Sequence, residues 1–412
     1  MSGNGFEFFG LSGPHPPSWL PKPRAPFFIY NAAILRQNAA DLRRMWPASH
    51  NRHTHLFYSV KANPNPHLVE EIAGFVDGFD VSSFVELEML RRMRISEDRI
   101  TASGPGKTDA FLELACSLPV RAVHLDSSEE YQALKKYLRP MSPQPRITLR
   151  LQLPGPQMRK LGIPTEEIRE LLRTAPSRTF SGFHAYLGRE LFSEERLSTT
   201  LATMYSLRDE FPMAFAAQFE IYLGPGIPAF TVAPQQLSMT SNSPVHIECG
   251  RSLIGTAGCY AAPVLSVKSF NTRRRIVIID GGLQHLGSPL VSHLLGQKGV
   301  LCHALRERRE STAAGDELCP TVVHGSLCLW HDALHPSLML PRDLKRGDWL
   351  AFAPCGSYGL TAAVSQFISQ TPAREYFHDS SSTKPFTSPR EISPATFQSY
   401  ALSFSDRGKH AK

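Results

Sequence analysis

The chain lacks any apolar run of the roughly 18 residues that a membrane-spanning helix needs, so no transmembrane segment is expected. Its seven cysteines are an odd number and none sits in a CxxC pair. That argues against a disulfide framework or zinc knuckle, and for a reducing compartment such as the cytoplasm. The N-terminal stretch has neither a basic start nor an apolar core of signal-peptide length. Lys and Arg exceed Asp and Glu by 44 to 37, for a formal charge of +7, but no dense basic patch interleaved with aromatics appears. The longest basic run, Arg273-Arg274-Arg275, reads as a solvated turn, and no nucleic-acid partner is expected. The mild positive excess suits acidic or phosphorylated small molecules instead. His50, His53 and His55 have no carboxylate or thiolate at ligand spacing, so no metal site is expected. There is no internal repeat. The glycine-rich turn that a dinucleotide-binding doubly wound sheet carries after its first strand is also missing.

What is present is a 412-residue chain with 42% hydrophobic and 20% charged residues, ordinary for a globular enzyme of two or three domains. Residues 1–26, rich in Gly, Pro and Ser, read as an irregular arm. A short strand at 27–30 follows, and Asn31 is placed to cap a helix over 32–46. Strand-like runs near 55–61, 78–82, 98–102, 121–125, 146–152, 180–186, 218–223 and 244–248 then alternate with amphipathic stretches. This pattern predicts an α/β architecture, a closed TIM-type (β/α)8 barrel over 27–258. From 259 the pattern changes. Runs at 259–269, 275–280, 322–330 and 349–353 predict a C-terminal all-β domain over 259–377, which strand 27–30 is expected to join. Residues 296–317 read as polar helix or loop, and 378–412 as a mobile tail.

The run Phe57-Tyr58-Ser59-Val60-Lys61-Ala62-Asn63-Pro64-Asn65-Pro66 carries the strongest chemical signal. Strand alternation puts Phe57, Ser59 and Lys61 on one face, and the prolines stiffen the turn that follows. An amine at the carboxyl end of a barrel strand lies where such barrels gather their active sites. It can be a solvated lysine, or one that forms an imine with an aldehyde cofactor. Asp80, in Gly78-Phe79-Asp80-Val81-Ser82-Ser83, can hold its charge or cap the next helix. The turn Gly224-Pro225-Gly226 after the seventh barrel strand can admit a phosphate, although Pro225 removes one donor. Glu248-Cys249-Gly250-Arg251 closes the eighth strand; Glu248 needs a cation or a protonated ring nitrogen, and Arg251 can be its partner or a phosphate's. Cys328 precedes Leu329-Trp330-His331-Asp332 and can deliver a proton or simply be buried. Tyr358, in a small-residue turn, offers a phenol to an oxyanion.

In this order and spacing, the motifs resemble the pyridoxal-phosphate decarboxylases of the alanine-racemase fold, the group of the ornithine, diaminopimelate and arginine decarboxylases. They are Val60-Lys61-Ala62-Asn63-Pro64, Gly78-Phe79-Asp80-Val81-Ser82-Ser83, Ser103-Gly104-Pro105-Gly106-Lys107, Gly224-Pro225-Gly226, Glu248-Cys249-Gly250-Arg251, Cys328 with Asp332, and Gly356-Ser357-Tyr358. The resemblance runs from about residue 26 to 367. It implies a pyridoxal 5'-phosphate cofactor joined to Lys61, with Asp80, His184, Tyr186, Gly250 and the ring-nitrogen partner Glu248 around it. It places the phosphate at Gly224, Gly226, Arg251 and Tyr358. It also implies that Cys328 and Asp332 cross into a partner's site in a homodimer, with Trp330 and His331 shaping the substrate pocket. Tyr186 stands where the family has a ring-stacking histidine; Arg189, Cys249 and Pro225 replace a serine, a proline and a glycine. Racemases of this fold resemble a different pattern, with arginine at the ring nitrogen, so Glu248 implies decarboxylation. The Cys-Glu-Ser-Gly-Asp run of diaminopimelate decarboxylases is absent. The chain looks closer to the branch acting on siderophore precursors such as citryl-diaminopropionate, or on carrier-bound amino acids. A basic amino acid decarboxylase, a non-catalytic relative and a racemase are the alternatives.

Overall fold

The computed structural model describes residues 6–20, 24–46, 54–139, 143–155, 160–188, 193–229, 241–271, 274–287, 301–308, 317–379 and 389–392. The chain forms two units. One comprises residues 1–38, 228–232 and 251–396, the other 39–227, 233–250 and 397–412. The division falls inside the helix α1 (Ala32–Met45), which follows the strand β1 (Phe27–Asn31). Asn31 caps α1 as expected: its Oδ1 accepts from the N–H groups of Ala33 and Ile34 at 2.8 and 3.2 Å. Among the described residues no helix is long and apolar enough to cross a membrane.

The second unit is a closed parallel barrel of β2 (Thr54–Ser59), β3 (Gly78–Val81), β4 (Ile100–Ala102), β5 (Ala122–Leu125), β6 (Arg146–Arg150), β7 (Phe180–Tyr186), β8 (Phe215–Gly224) and β9 (Val245–Cys249), with β9 pairing back onto β2. The helices α2 (Pro66–Ile72), α3 (Phe84–Arg92), α4 (Asp109–Ser117), α5 (Ser128–Lys135), α6 (Thr165–Thr174) and α7 (Glu194–Glu210) each follow a strand in turn. The sequence fixes their starts. Ser83 and Ser127 accept from the N–H groups of Glu86 and Glu130, whose carboxylates reach back to the N–H groups of Ser82 and Asp126 at 2.6 and 2.9 Å.

Polar residues at every second position of the strands point into the barrel. Toward its amino end lies a buried group centred on Glu220 of β8. Its carboxylate accepts from Tyr222 Oη at 2.6 Å and Arg121 at 3.0 Å, and lies 3.2 Å from His246 Nε2. Burial alone would raise the carboxyl, but His246, Tyr222 and Arg121 hold it down to about 2. Burial pushes His246 down to about 4 against the pull of Glu220, with Arg121 and His55 adding to the fall. Both groups are therefore depressed. The unfolded chain takes up protons first, and the fold loses stability on acidification. For His246 the loss begins near its ordinary 6.5 and is complete near 4, and amounts to at most about 3.5 kcal/mol at ~1.4 kcal/mol per pKa unit. The melting temperature should fall between pH 6.5 and 4, and His246→Gln should flatten that interval.

The first unit is built on a mixed sheet in the order β14–β13–β11–β10–β1–β16–β17, with β15 pairing β10 and β12 pairing β15. The added strands are β10 (Gly258–Asn271), β11 (Arg274–Ile279), β12 (Leu301–Leu305), β13 (Leu318–His324), β14 (Ala333–Pro341), β15 (Trp349–Ala353), β16 (Arg374–His378) and β17 (Arg390–Ile392). Its core joins Phe27, Ile29, Ala261, Leu305, Trp349 and Tyr376.

Several expectations need correction. The arm is not wholly irregular: Phe6–Phe9 form a 3-10 turn, and Phe6, Phe9 and Leu11 are buried in that core. Part of the segment read as polar helix or loop is the strand β12, held by pairing with β15. The strand read over 322–330 ends at His324, so Cys328 and Trp330 lie in a loop. The segment assigned to the tail includes β17, which pairs with β16; residues 380–388 and 393–412 lie outside the described residues.

Candidate active site

At the carboxyl ends of the barrel strands, the main chain of Val60–Ala62 turns in a 3-10 loop rather than continuing β2. The Asn63 N–H donates to Val60 O at 3.1 Å, and Tyr58 Oη donates to Asn63 O at 2.9 Å. Lys61 is thus carried one turn beyond the strand that the alternation argument assigned it to. Its amine donates to Asp80 Oδ2 at 3.1 Å and to Ser82 Oγ at 3.3 Å, and its side chain stays 44% exposed. Asp80 is fully buried and also accepts from Ser103 Oγ at 2.9 Å. Burial, then the charge of Glu248, raises the Asp80 carboxyl, and Lys61 pulls it back.

Glu248 of β9 is the centre of the arrangement. Its Oε2 accepts from His184 Nε2 of β7 at 3.0 Å, and its Oε1 lies 3.4 Å from His124 Nε2 of β5. The two imidazoles stack with centroids 4.6 Å apart. Burial works to raise the Glu248 carboxyl, but the two histidines hold it well below the usual carboxylate range. Burial likewise lowers both histidines, so the site holds one buried carboxylate between neutral imidazoles near neutral pH. Glu248 Oε1 is buried without a hydrogen-bond partner. A Cβ on Gly224 would lie 3.0 Å from the Tyr186 ring and 3.6 Å from Glu248 Oε2, so glycine keeps this face open. A Cβ on Gly250 would lie 2.8 Å from the Ala62 Cβ, which explains a glycine where β9 meets the Lys61 turn. Pro225 offers no N–H, and Gly226 follows with φ +68°. Arg189 lies outside the described residues.

In the first unit, Arg251 opens the short helix α8 (Arg251–Ile254) directly after Gly250. The Gly356 N–H donates to Gly255 O at 2.9 Å, which sets the turn of Ser357 and Tyr358 beside that segment. Ser357 Oγ is buried without a hydrogen-bond partner. In the loop 325–332, Cys328 is exposed and Trp330 is 90% exposed, its ring edge-on to His331. Asp332 is buried. Its two oxygens accept from the N–H groups of Leu283 and Leu327, each at 2.8 Å, and its carbonyl accepts from the Gly325 N–H at 2.9 Å. Asp332 thus ties its own loop together.

The family described as "Pyridoxal-dependent decarboxylase, pyridoxal binding domain" matches residues 36–179. Residues 36–179 are thus similar to the pyridoxal-binding domain of the pyridoxal-dependent decarboxylases. This decarboxylase is a carboxy-lyase, and its cofactor is pyridoxal 5'-phosphate. The chloroplastic ornithine decarboxylase of Nicotiana glutinosa is 27% identical to it over 327 residues, 76% of this chain and 75% of the relative. A Staphylococcus aureus protein named 2-[(L-alanin-3-ylcarbamoyl)methyl]-2-hydroxybutanedioate decarboxylase is 24% identical over 393 residues, 85% of this chain and 93% of the relative. A solved Helicobacter pylori diaminopimelate decarboxylase variant in complex with L-lysine shares the fold, with a TM-score of 0.73 at 19% identity over 93% of this chain and 98% of that one.

The decarboxylase's own residues fit the cofactor. In the barrel, the unpartnered Glu248 Oε1 suits a protonated ring nitrogen and the Lys61 amine suits an aldehyde. Of the residues singled out in the sequence, the barrel brings together Lys61, Asp80, His184, Tyr186, Gly224, Glu248 and Gly250. His124 was missed. The signal for His124 was a lone histidine at an inward position of an otherwise apolar strand, opposite Thr148. An open cavity of about 910 Å³ between the β6–α6 loop and α7 is lined by other residues, among them Leu153, Thr165 and Arg196.

Proposed function

We propose that the protein removes the α-carboxylate of an amino-acid conjugate whose far end is acidic or amide-linked, of the citryl-diaminopropionate kind. The observation that carries this reading is the loop 325–332. Its sole carboxylate, Asp332, is buried and accepts from main-chain N–H groups of its own fold, and Leu329 and Trp330 stand beside Cys328. A free diamino acid brings a distal ammonium that needs an anion when desolvated. This loop keeps its one anion buried. A conjugate brings no such cation, and the net charge of +7 favours an acidic one. The name of the Staphylococcus aureus relative, a hydroxybutanedioate conjugate decarboxylase, supports the same choice.

In this reading Lys61 anchors the cofactor aldehyde, and Asp80 holds the amine's charge when the link is open. Glu248 holds the ring nitrogen, with Tyr186 beside the ring. Gly224 and Gly226 of the barrel face the phosphate. The bound cofactor supplies an electron sink for the pair left behind by departing CO₂. The Cys328 thiol then gives its proton to the α-carbon. Cys328 serves the site of a partner in a homodimer, and Trp330 close to it is exposed.

A CO₂-release assay of the holoenzyme on ornithine, lysine, diaminopimelate and citryl-diaminopropionate tests the substrate. Turnover of the conjugate with at least tenfold preference is expected. Efficient CO₂ release from free ornithine or lysine alone would overturn it and favour a basic amino acid decarboxylase.

A further inference from the structure

We propose that Thr148 and His124 form a positioning relay that fixes Glu248 for the cofactor's ring nitrogen. The proposal depends on the cofactor and not on which amino acid is decarboxylated.

Three fully or nearly buried side chains lie in line. Thr148 Oγ1 of β6 is 2.5 Å from His124 Nδ1, and His124 Nε2 is 3.4 Å from Glu248 Oε1. The register of the barrel sets the first contact, because Thr148 and His124 are paired residues on neighbouring strands. The hydroxyl has one proton. Its other acceptor, Val123 O, is 3.5 Å away, so the short contact to the imidazole is the better place for it. Donation by Thr148 to Nδ1 leaves the imidazole proton on Nε2, aimed at Glu248 Oε1. Both of those atoms are buried and lack a closed hydrogen bond. An oxygen of a carboxylate has two acceptor sites, so Oε1 can take the His124 proton and a ring N–H together. Oε2 is already taken by His184.

The ring of His124 has little freedom. It stacks on His184 and packs against Tyr222 with centroids 4.6 Å apart, and the anions acting on it are Glu248 and Asp80. A histidine placed only to fill the core would not need a hydroxyl behind it and an unpartnered carboxylate oxygen in front. His124 therefore acts through Glu248, setting the oxygen's position and keeping its charge.

The test compares His124→Leu, His124→Gln and Thr148→Val with the wild type. The readouts are the Kd for pyridoxal 5'-phosphate, the visible absorption spectrum of the bound cofactor, and the KM of the substrate. His124→Leu should weaken cofactor binding about tenfold and change the spectrum, with KM unaltered. His124→Gln, which keeps a donor, should recover most of both. Thr148→Val should shift them in the same direction by less. A folded His124→Leu protein with wild-type Kd and spectrum overturns the relay. If His124→Leu does not fold, Thr148→Val decides: an altered spectrum and weaker binding support the relay, and wild-type values for both overturn it.

Discussion

Lys61→Ala should abolish the borohydride-sensitive visible absorbance of the purified protein and slow CO₂ release by about 10³-fold or more. In the wild type, borohydride should leave the cofactor covalently attached to the peptide that contains Lys61, a mass that the variant cannot show. The amine is at the right place for this. It lies on a tight turn beyond β2, is 44% exposed, and is held 3.1 Å from Asp80. A second variant separates the covalent from the electrostatic role. Lys61→Arg keeps a cation beside Asp80 but cannot join an aldehyde, so it should be as colourless and inactive as Lys61→Ala. Stability should hardly change in either. An ion pair with so exposed a partner contributes little, at most about 1 kcal/mol. Asp80, whose carboxyl is already raised by burial and by Glu248, accepts a proton readily once the ammonium is gone. Wild-type CO₂ release by Lys61→Ala would end the assignment of the anchor.

How much of this was legible in the sequence depends on how local the cause is. The barrel strands could be read because short apolar runs alternate with capped helices at a regular interval, and both signals are local. Lys61, Asp80 and Glu248 could be read because each sits at or just past a strand end. The precise turn at Lys61 could not, since it depends on Asn63 closing a hydrogen bond back to Val60. β12 was missed because Leu301–Leu305 is short and polar-flanked; its state is decided by pairing with β15, about fifty residues on. The burial of Phe6 and Phe9 depends on a cavity made by distant strands. Asp332 shows a harder limit. In the sequence a carboxylate near a cysteine looks available, and only the fold reveals that it is buried and accepts from two main-chain N–H groups.

Glu248→Gln should lower kcat by about 10² to 10³-fold while leaving the KM of the substrate within a few-fold. The carboxylate is held well below the usual range by His184 and His124 despite its burial, so it is an anion near neutral pH. A buried anion whose Oε1 has no partner favours the protonated state of a ring nitrogen placed against it. Glutamine keeps the shape and one acceptor but removes the charge, and the electron sink weakens. Glu248→Ala should be worse in a different currency. It leaves the His184 N–H without an acceptor in a buried place, which costs about 1–3 kcal/mol of stability as well as activity. The substitution has a further, opposite effect at a distance. The charge of Glu248 is the second-largest influence raising Asp80, so either variant should let Asp80 ionise at lower pH and tighten its pair with Lys61. The decisive comparison is kcat of Glu248→Gln across pH. A fall that is deep and nearly constant from pH 6 to 8 is expected of a lost fixed charge, and an unchanged kcat would remove Glu248 from the cofactor site.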